Sequence, residues 1–163
     1  MDSKLRVPPH SKEAERSVLG SVLLDRDAVV AVVEFLRPEH FYEDRHQKIF
    51  EAVVDLYQKR EPVDVITVSE KLNGELDYLK ELVNSVPTAS HAATYGHLVK
   101  DAYTKRVLIS TAGNLMDMGF DESMDIKQIL DTAESKVFSL SQQHLSQVFI
   151  PVKDILAESF ARL

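Results

Sequence analysis

Residues 126–144, IKQILDTAESKVFSLSQQH, decide how the second half of this chain folds. Apolar residues and a final histidine recur there at steps of four, three, four, three and four, namely Ile126, Leu130, Ala133, Val137, Leu140 and His144. A repeat of about 3.5 residues places these side chains in one stripe along an α-helix. Asp125 stands directly before the stretch and can accept hydrogen bonds from the free amides of a first turn. The pattern predicts a long helix that begins after Asp125.

A second long helix is predicted just upstream, from about residue 91 to residue 118. Its apolar side consists of Tyr95, Leu98, Val99, Ala102, Ile109, Ala112 and Met116. The intervening GFDESMD at 119–125 is polar and indicates a turn. Two long helices joined by a short loop form an antiparallel helical hairpin, here spanning 90–145. Gly113 fits either close approach of a neighbouring helix or a tolerated helical glycine, and the sequence does not separate the two.

This hairpin carries more apolar surface than the rest of so short a chain can cover. An exposed apolar stripe of that length favours pairing with a second copy of the chain. The residues predicted to self-associate are Tyr95, Leu98, Val99, Ala102, Ile109, Ile126, Leu130, Ala133, Val137 and Leu140. The alternative is that the hairpin folds back on the preceding part of the chain.

Residues 11–89 are predicted to form a compact helical head behind an extended arm at 1–10. Ser11 can cap a first helix, which is predicted to end near Asp25. The next apolar run, AVVAVVEFL at 28–36, has the composition of a strand, but its neighbours and the proline at position 38 favour a short helix.

Three further helices complete the predicted head. Pro62 ends the third helix, Thr67 is expected to cap a fourth that runs to Leu72, and Pro87 closes a fifth. The segment VDVITV at 63–68 comes nearest to the alternation of a strand, and a strand there would contradict an all-α prediction. The fold class predicted is all-α, with a helical head, a long hairpin and a terminal helix.

The chain ends in a fourth region, the linker of residues 146–163. After Pro151, its apolar residues recur at helical spacing: Val152, Ile155, Leu156, Phe160 and Leu163. A short amphipathic helix is stable only when its apolar face packs against something. The first four of these residues are therefore predicted to dock the linker onto a partner surface.

Composition restricts the class of protein. The 163 residues carry 19 basic and 26 acidic side chains, a net charge of −7, and no cysteine. Disulfides and thiolate metal sites are therefore excluded, and a surface devoted to nucleic-acid phosphates is disfavoured. No apolar run approaches the ~20 residues that span a bilayer, and the first ten residues do not resemble a secretion signal, so we expect a cytoplasmic protein without membrane contact.

The sequence shows no catalytic or metal-binding pattern. None of its five glycines precedes a lysine, as a phosphate-binding loop of the Walker type requires. His40 and His46, like His91 and His97, are six positions apart, which on a helix turns their rings about 240° from each other. We therefore predict no enzyme activity, no cofactor and no metal site in these residues.

Several blocks together resemble the amino-terminal domain of DnaB-type replicative DNA helicases. They are PPHSKEAERSVLGSVLLD at 8–25, FYEDRHQKIFEAVVDLYQKREPVDVITV at 41–68, YLKELVNSVPTAS at 78–90 and VKDILAESF at 152–160. The resemblance covers nearly the whole chain. Two positions depart from the family pattern: LNGELDYL at 72–79 is shorter, without the usual Gly-Gly pair, and Gly96 stands where alanine is common.

The resemblance implies a non-catalytic domain that pairs subunits in the collar of a hexameric helicase ring and docks primase, and possibly a helicase loader, within the primosome. It also implies that ATP and Mg²⁺ bind in a separate carboxy-terminal motor of the RecA type, which these residues lack. The terminal helix resembles the family's linker helix, which docks on the motor of an adjacent subunit.

Residues near the hairpin turn are candidates for partner docking, because Met and Phe adapt well to helical partners: Met116, Met118, Phe120 and Met124. They would otherwise cap the core of the hairpin. The alternative function is that of a stand-alone, all-helical protein of phage or plasmid origin that holds single-stranded nucleic acid through basic pairs such as Lys59-Arg60 and Lys105-Arg106. With a net charge of −7, we expect DNA to bind weakly if at all.

Overall fold

The computed structural model describes residues 6–145, with side chains to residue 143. Over this range the chain consists of helices and contains no strand. The helices are α1 (Lys12–Leu24), α2 (Arg26–Val33), a 3₁₀ turn (Pro38–His40), α3 (Asp44–Gln58), α4 (Val65–Leu72), α5 (Leu76–Asn84), α6 (Ala92–Phe120) and α7 (Ile126–Leu145). The all-α prediction is confirmed, and residues 65–68 of the ambiguous VDVITV segment form the start of α4.

Acidic and hydroxyl side chains fix the starts of several helices. The Ser11 hydroxyl accepts from the amide of Ala14, and Asp125 Oδ2 accepts from the amide of Lys127, as predicted. The predicted cap of α4 was wrong, because Asp64 rather than Thr67 is its N-cap and accepts from the amide of Thr67 at 2.9 Å. The Thr67 hydroxyl instead accepts from the amide of Asp64, so the two residues form a capping box.

The chain divides into two compact units, and the division lies inside α6, between Arg106 and Val107. The sequence-based boundary at residue 90 is therefore earlier than the division seen in the structure. The first part of α6 belongs to the head because Ala92, Gly96 and Val99 are buried there.

The head has one apolar core. In it α1 packs against α2, α3 and α5, and α3 packs against α4. The largest fully buried apolar side chains are Leu19, Leu36, Phe41, Ile49, Phe50, Leu79 and Leu82. Gly20 permits the close approach of α1 to α5, because a Cβ at this position would collide with the carbonyl oxygen of Leu82.

The connection between α4 and α5 is short and conformationally unusual. Asn73, Gly74 and Glu75 follow one another with φ of 55°, 152° and 72°. Asn73 ends α4 in the left-handed conformation that Asn tolerates, and the Ser69 hydroxyl donates to the Gly74 carbonyl at 2.9 Å. Glu75, which is neither Gly nor Asn, holds the least favourable of the three conformations.

The second unit differs from the head in its burial. It contains the end of α6, the loop at 121–125 and α7. None of its residues from 107 to 143 is buried. Gly113 has no atom within 4 Å of where a Cβ would stand, so within the described chain it makes no close helix contact.

Candidate self-association and docking surfaces

Apolar side chains of α7 lie open to solvent along the predicted stripe. Ile126 is 66 % exposed, Leu130 is 61 % exposed and Val137 is 49 % exposed. Ala133 and Leu140 are half-buried. The best-shielded positions of this helix are Ile129, Thr132, Ala133, Lys136 and Leu140. The predicted stripe therefore lies only partly on the shielded side of α7. Three of its large apolar side chains, those of Ile126, Leu130 and Val137, remain exposed.

The second-unit part of α6 shows the same division between shielded and open sides. Val107, Thr111 and Leu115 are half-buried, whereas Ile109 is 57 % exposed and Met116 is 60 % exposed. Ile109 and Met116 are seven residues apart, which places them on one side of the helix. Each of the two helices thus presents an uncovered apolar row.

Two exposed apolar residues of the hairpin were not among those predicted to self-associate. Leu108 on α6 is 54 % exposed and Phe138 on α7 is 62 % exposed. Each stands next to a residue of the predicted stripe, so a strict heptad reading left them out. The enlarged apolar area around Ile109 and Val137 was visible in the sequence as adjacent apolar pairs.

The first four predicted self-association residues fall in the head unit and have mixed positions. Val99 is 1 % exposed and belongs to the core, and Tyr95 packs against that core. Their side chains hold α6 to the head, because α6 is shared between the two units. Ala102 is half-buried, and Leu98 alone of the four is strongly exposed, at 49 %.

The four docking candidates surround the loop between α6 and α7. Phe120 is 80 % exposed and Met116 is 60 % exposed, whereas Met118 and Met124 are half-buried. The loop itself is ordered by Asp121, whose Oδ1 accepts from the Ser123 hydroxyl at 2.6 Å and from its amide at 2.9 Å. These hydrogen bonds lower the pKa of Asp121. The loop therefore presents its apolar side chains on a defined backbone. The linker residues Val152, Ile155, Leu156 and Phe160 lie outside the described residues.

A buried polar network ties three helices of the head together. Glu15, on α1, is 2 % exposed, and His46, on α3, is fully buried. His46 Nδ1 lies 2.6 Å from Glu15 Oε2, and His46 Nε2 lies 2.7 Å from the hydroxyl of Tyr78 on α5. Glu15 Oε1 also accepts from the amide of Tyr42 at 2.6 Å. No sequence pattern signals this network, because Glu15 and Tyr78 are each more than 30 residues from His46.

A second polar group binds the N-terminal arm to the head. The Arg106 guanidinium donates to the carbonyl oxygens of Pro9 and His40, each at 2.8 Å. His40 is 7 % exposed, and its Nδ1 accepts from the amide of Arg37 at 3.0 Å. Burial, together with the nearby charge of Lys100, lowers the pKa of His40 to about 4. His40 is therefore neutral at physiological pH and serves the fold.

These contacts also bear on the two basic pairs proposed as a nucleic-acid footprint. Arg106 is occupied by backbone carbonyls, and Lys59 pairs with Asp55 at 2.9 Å. Within residues 6–145, no group of three or more His, Asp or Glu side chains is arranged to hold a metal ion. None of the helices that the structure describes is both long and apolar enough to cross a bilayer.

Comparison with known proteins adds independent evidence. Residues 7–101 match the family model described as DnaB-like helicase N terminal domain. The chain is 40% identical over 163 residues to the replicative DNA helicase DnaB of Geobacillus stearothermophilus, covering 95% of this chain and 36% of that protein. It is 34% identical over 161 residues to the DnaB of Mycobacterium leprae, covering 93% of this chain and 27% of that protein. The chain thus spans about a third of the length of these relatives.

Solved structures agree with this assignment. The crystal structure of the N-terminal domain of DnaB helicase from Mycobacterium tuberculosis superposes with a TM-score of 0.76 at 34% identity, covering 82% of this chain and 99% of that one. A structure of a DnaB-like replicative helicase and its interactions with primase shares the fold, with a TM-score of 0.67 at 22% identity over 91% of this chain and 34% of that one.

The matched family model and the matched crystal structure are both of the N-terminal domain of DnaB-type helicases. The helical head, the hydrogen-bonded arm and the match of family and fold lead to one assignment. The chain belongs to the family of DnaB-like helicase N-terminal domains.

Proposed function

We propose that this domain assembles and docks parts of a replicative helicase, with the hairpin of residues 90–145 as its self-association element. The open apolar rows of α6 and α7 carry the proposal. Large side chains that stay 49–66 % exposed in the single chain, among them Ile109, Leu130 and Val137, would be covered by the same rows of a second copy. Pairing of this kind through a shared surface is typical of closed symmetric assemblies.

In the whole helicase, such pairs would build the amino-terminal collar of a hexameric ring. ATP and Mg²⁺ would bind in the motor domain, and none of the residues described here would hold them. The linker residues Val152, Ile155, Leu156 and Phe160 would connect the collar to the motor of an adjacent subunit. DNA would bind this domain weakly if at all, because the net charge of the chain is −7.

Partner docking belongs to the hairpin turn in this proposal. Phe120 and Met116 are the most exposed apolar side chains there, and the Asp121 hydrogen bonds keep the loop in one conformation. An ordered loop that displays an aromatic ring and a methionine has the features of an interface hot spot. We assign primase to this surface, with a helicase loader as a further partner of the same ring.

Sedimentation velocity over a range of protein concentrations tests self-association. The unaltered chain should gain mass with concentration, and Leu130→Lys should remain monomeric because it places a charge in the apolar row. The matched control is Gln128→Lys, which adds the same charge at an exposed polar position of α7 and should behave as the unaltered chain. An unaltered chain that stays monomeric at every concentration would contradict the proposal.

Titration calorimetry with the primase of Geobacillus stearothermophilus tests docking. The double variant Met116→Ser, Phe120→Ser should weaken binding by about tenfold or more, because two anchors at an interface commonly contribute 1–2 kcal/mol each. Phe138→Ser is the control, since it removes another exposed aromatic ring, 62 % exposed, away from the turn. Equal losses in both variants would show that general apolar contact, and not the turn, holds primase.

A further inference from the structure

A cavity of about 760 Å³ lies in the head where the start of α2 meets the end of α3. Its lining includes the apolar side chains of Val29 and Val63, the ring of Tyr57, and the side chains of Arg26 and Arg60. The volume is in the range of sites that hold small ligands or a few residues of a peptide. Every lining residue belongs to the head, so the site does not depend on the hairpin.

Apart from Arg6 in the N-terminal arm, the other arginines of the head differ from the two of this cavity. Arg16 and Arg45 pair with glutamates on α5 and before it, while Arg37 and Arg106 donate to backbone carbonyls. Within residues 6–145, neither the Arg26 side chain nor the Arg60 side chain makes a hydrogen bond or an ion pair, and both residues are exposed. The Tyr57 hydroxyl likewise has no hydrogen-bond partner among the described residues. The cavity thus brings together side-chain donors that have no hydrogen-bond partner and the apolar side chains of Val29 and Val63.

Arg60 occupies a backbone conformation that favours glycine. Its φ is +59°, and it directly follows Lys59, the C-cap residue of α3. Its amide donates to the carbonyl of Tyr57 and that of Glu61 donates to the carbonyl of Leu56, which is the Schellman pattern. Glycine is the usual residue at this position because any Cβ is unfavourable there. A long cation in a strained backbone position beside a cavity is an outlier from which a functional role can be inferred.

The charges around the cavity narrow the class of ligand. Arg26 and Arg60 supply two positive charges and the lining Glu61 supplies one negative charge. A single net positive charge suits one carboxylate, which an arginine fork binds in bidentate fashion. It suits a run of phosphates poorly, because nucleic-acid affinity grows with the number of basic contacts and the whole chain carries −7.

We propose that this cavity binds a short acidic segment of another protein. An Asp or Glu carboxylate of the segment is held between Arg26 and Arg60, and an adjacent apolar residue lies against Tyr57 and Val29. This site is separate from the hairpin surfaces assigned to self-association and primase, and it gives the head a partner contact of its own.

Titration of the isotopically labelled chain with acetyl-Leu-Asp-Leu-Asp-amide, followed by backbone amide chemical shifts, tests the proposal. The amides of 26–29 and 57–63 should move, and the uncharged peptide acetyl-Leu-Asn-Leu-Asn-amide should bind at least about tenfold more weakly because it cannot form a charged pair. Arg60→Gly should weaken the acidic peptide about fivefold or more while the Tm stays equal or rises, since glycine suits the backbone.

Three results would overturn the proposal. One is an absence of shifts in these two segments with the acidic peptide. Another is equal affinity for the two peptides, or unchanged affinity in Arg60→Gly, which would make the cavity an apolar groove without a role for its arginines. The last is tighter binding of a ten-nucleotide oligothymidylate at the same amides, which would assign the site to nucleic acid.

Discussion

The head and the hairpin are built from helices with the same apolar spacing, yet only the head buries its apolar side chains. In the head, Val18, Leu19, Val22 and many others fall to 5 % exposure or less. In the hairpin, no residue from 107 to 143 is buried, and Phe120 remains 80 % exposed. Helical periodicity tells which side of a helix seeks cover, and it does not tell whether that cover comes from the same chain.

This contrast has an energetic meaning. Most of the stability of a helix in a protein comes from packing its apolar side. The helices of the head obtain this packing from their own core, whereas apolar side chains of the hairpin remain exposed. In the proposed function, a second copy of the chain supplies the further packing of the hairpin. Substitutions should therefore act on folding in the head and on association in the hairpin.

Removing a large core side chain should have the largest effect. Phe50 is fully buried, and Phe50→Ala should lower the free energy of unfolding by about 3–5 kcal/mol, because both transfer energy and a cavity are involved. Urea unfolding followed by circular dichroism measures this loss. Phe138→Ala, at 62 % exposure, is the matched hairpin variant and should change the stability of dilute protein by less than about 0.5 kcal/mol. Similar losses of unfolding free energy in both variants would contradict the difference between head and hairpin.

Breaking the buried polar network should have the next largest effect. Glu15→Ala leaves His46 and the amide of Tyr42 without their acceptor, which should cost about 3 kcal/mol. Thermal and urea unfolding both report it. Glu13→Ala, at an exposed position of the same helix turn, is the control and should cost only a few tenths of a kcal/mol. A mild effect at Glu15 would mean that the network adds little to the head.

Two of the helical glycines, Gly20 and Gly113, should respond in opposite directions. Gly20→Ala would press a methyl group against the Leu82 carbonyl and should destabilise the head by about 1–3 kcal/mol. Gly113→Ala meets nothing within 4 Å and should stabilise its helix by about 0.5–1 kcal/mol. If Gly113→Ala instead abolishes self-association in the ultracentrifuge, then the glycine serves close approach between copies.

The last effect appears only below neutral pH and is confined to the head. The pKa of His40 is lowered to about 4 from an ordinary 6.5, so between these values the unfolded chain binds a proton that the folded chain does not. Stability is therefore retained above pH 6.5 and falls as the pH drops towards 4, by up to about 1.4 kcal/mol per pH unit from this residue. His40→Gln should show a shallower loss in urea unfolding at several pH values. Parallel curves for the two proteins would refute this role.

Local patterns in the sequence were enough to predict the helices and two of their caps. Ser11 and Asp125 were predictable because a cap is a contact over two or three residues. Thr67 was misassigned because Asp64, three residues before it, also fits the cap, and sequence alone does not rank the two members of a capping box.

Longer contacts could not be predicted. The Glu15–His46–Tyr78 network joins three helices that no sequence pattern relates. The apolar stripe of α6 was identified, but its first turns serve the core through Val99 while Ile109 stays open. A periodic stripe does not reveal that one helix is shared between two units, because the period is the same on both sides of the division.

The connection at Asn73, Gly74 and Glu75 has a practical consequence for labelling. Three successive positive φ angles, one of them at a glutamate, give this connection a backbone that most residues adopt unfavourably. Adding residues after Gly74 should relax the backbone, and longer loops cost little entropy. A fluorophore or epitope could thus be carried there, on the head, as a reporter that leaves the hairpin residues untouched.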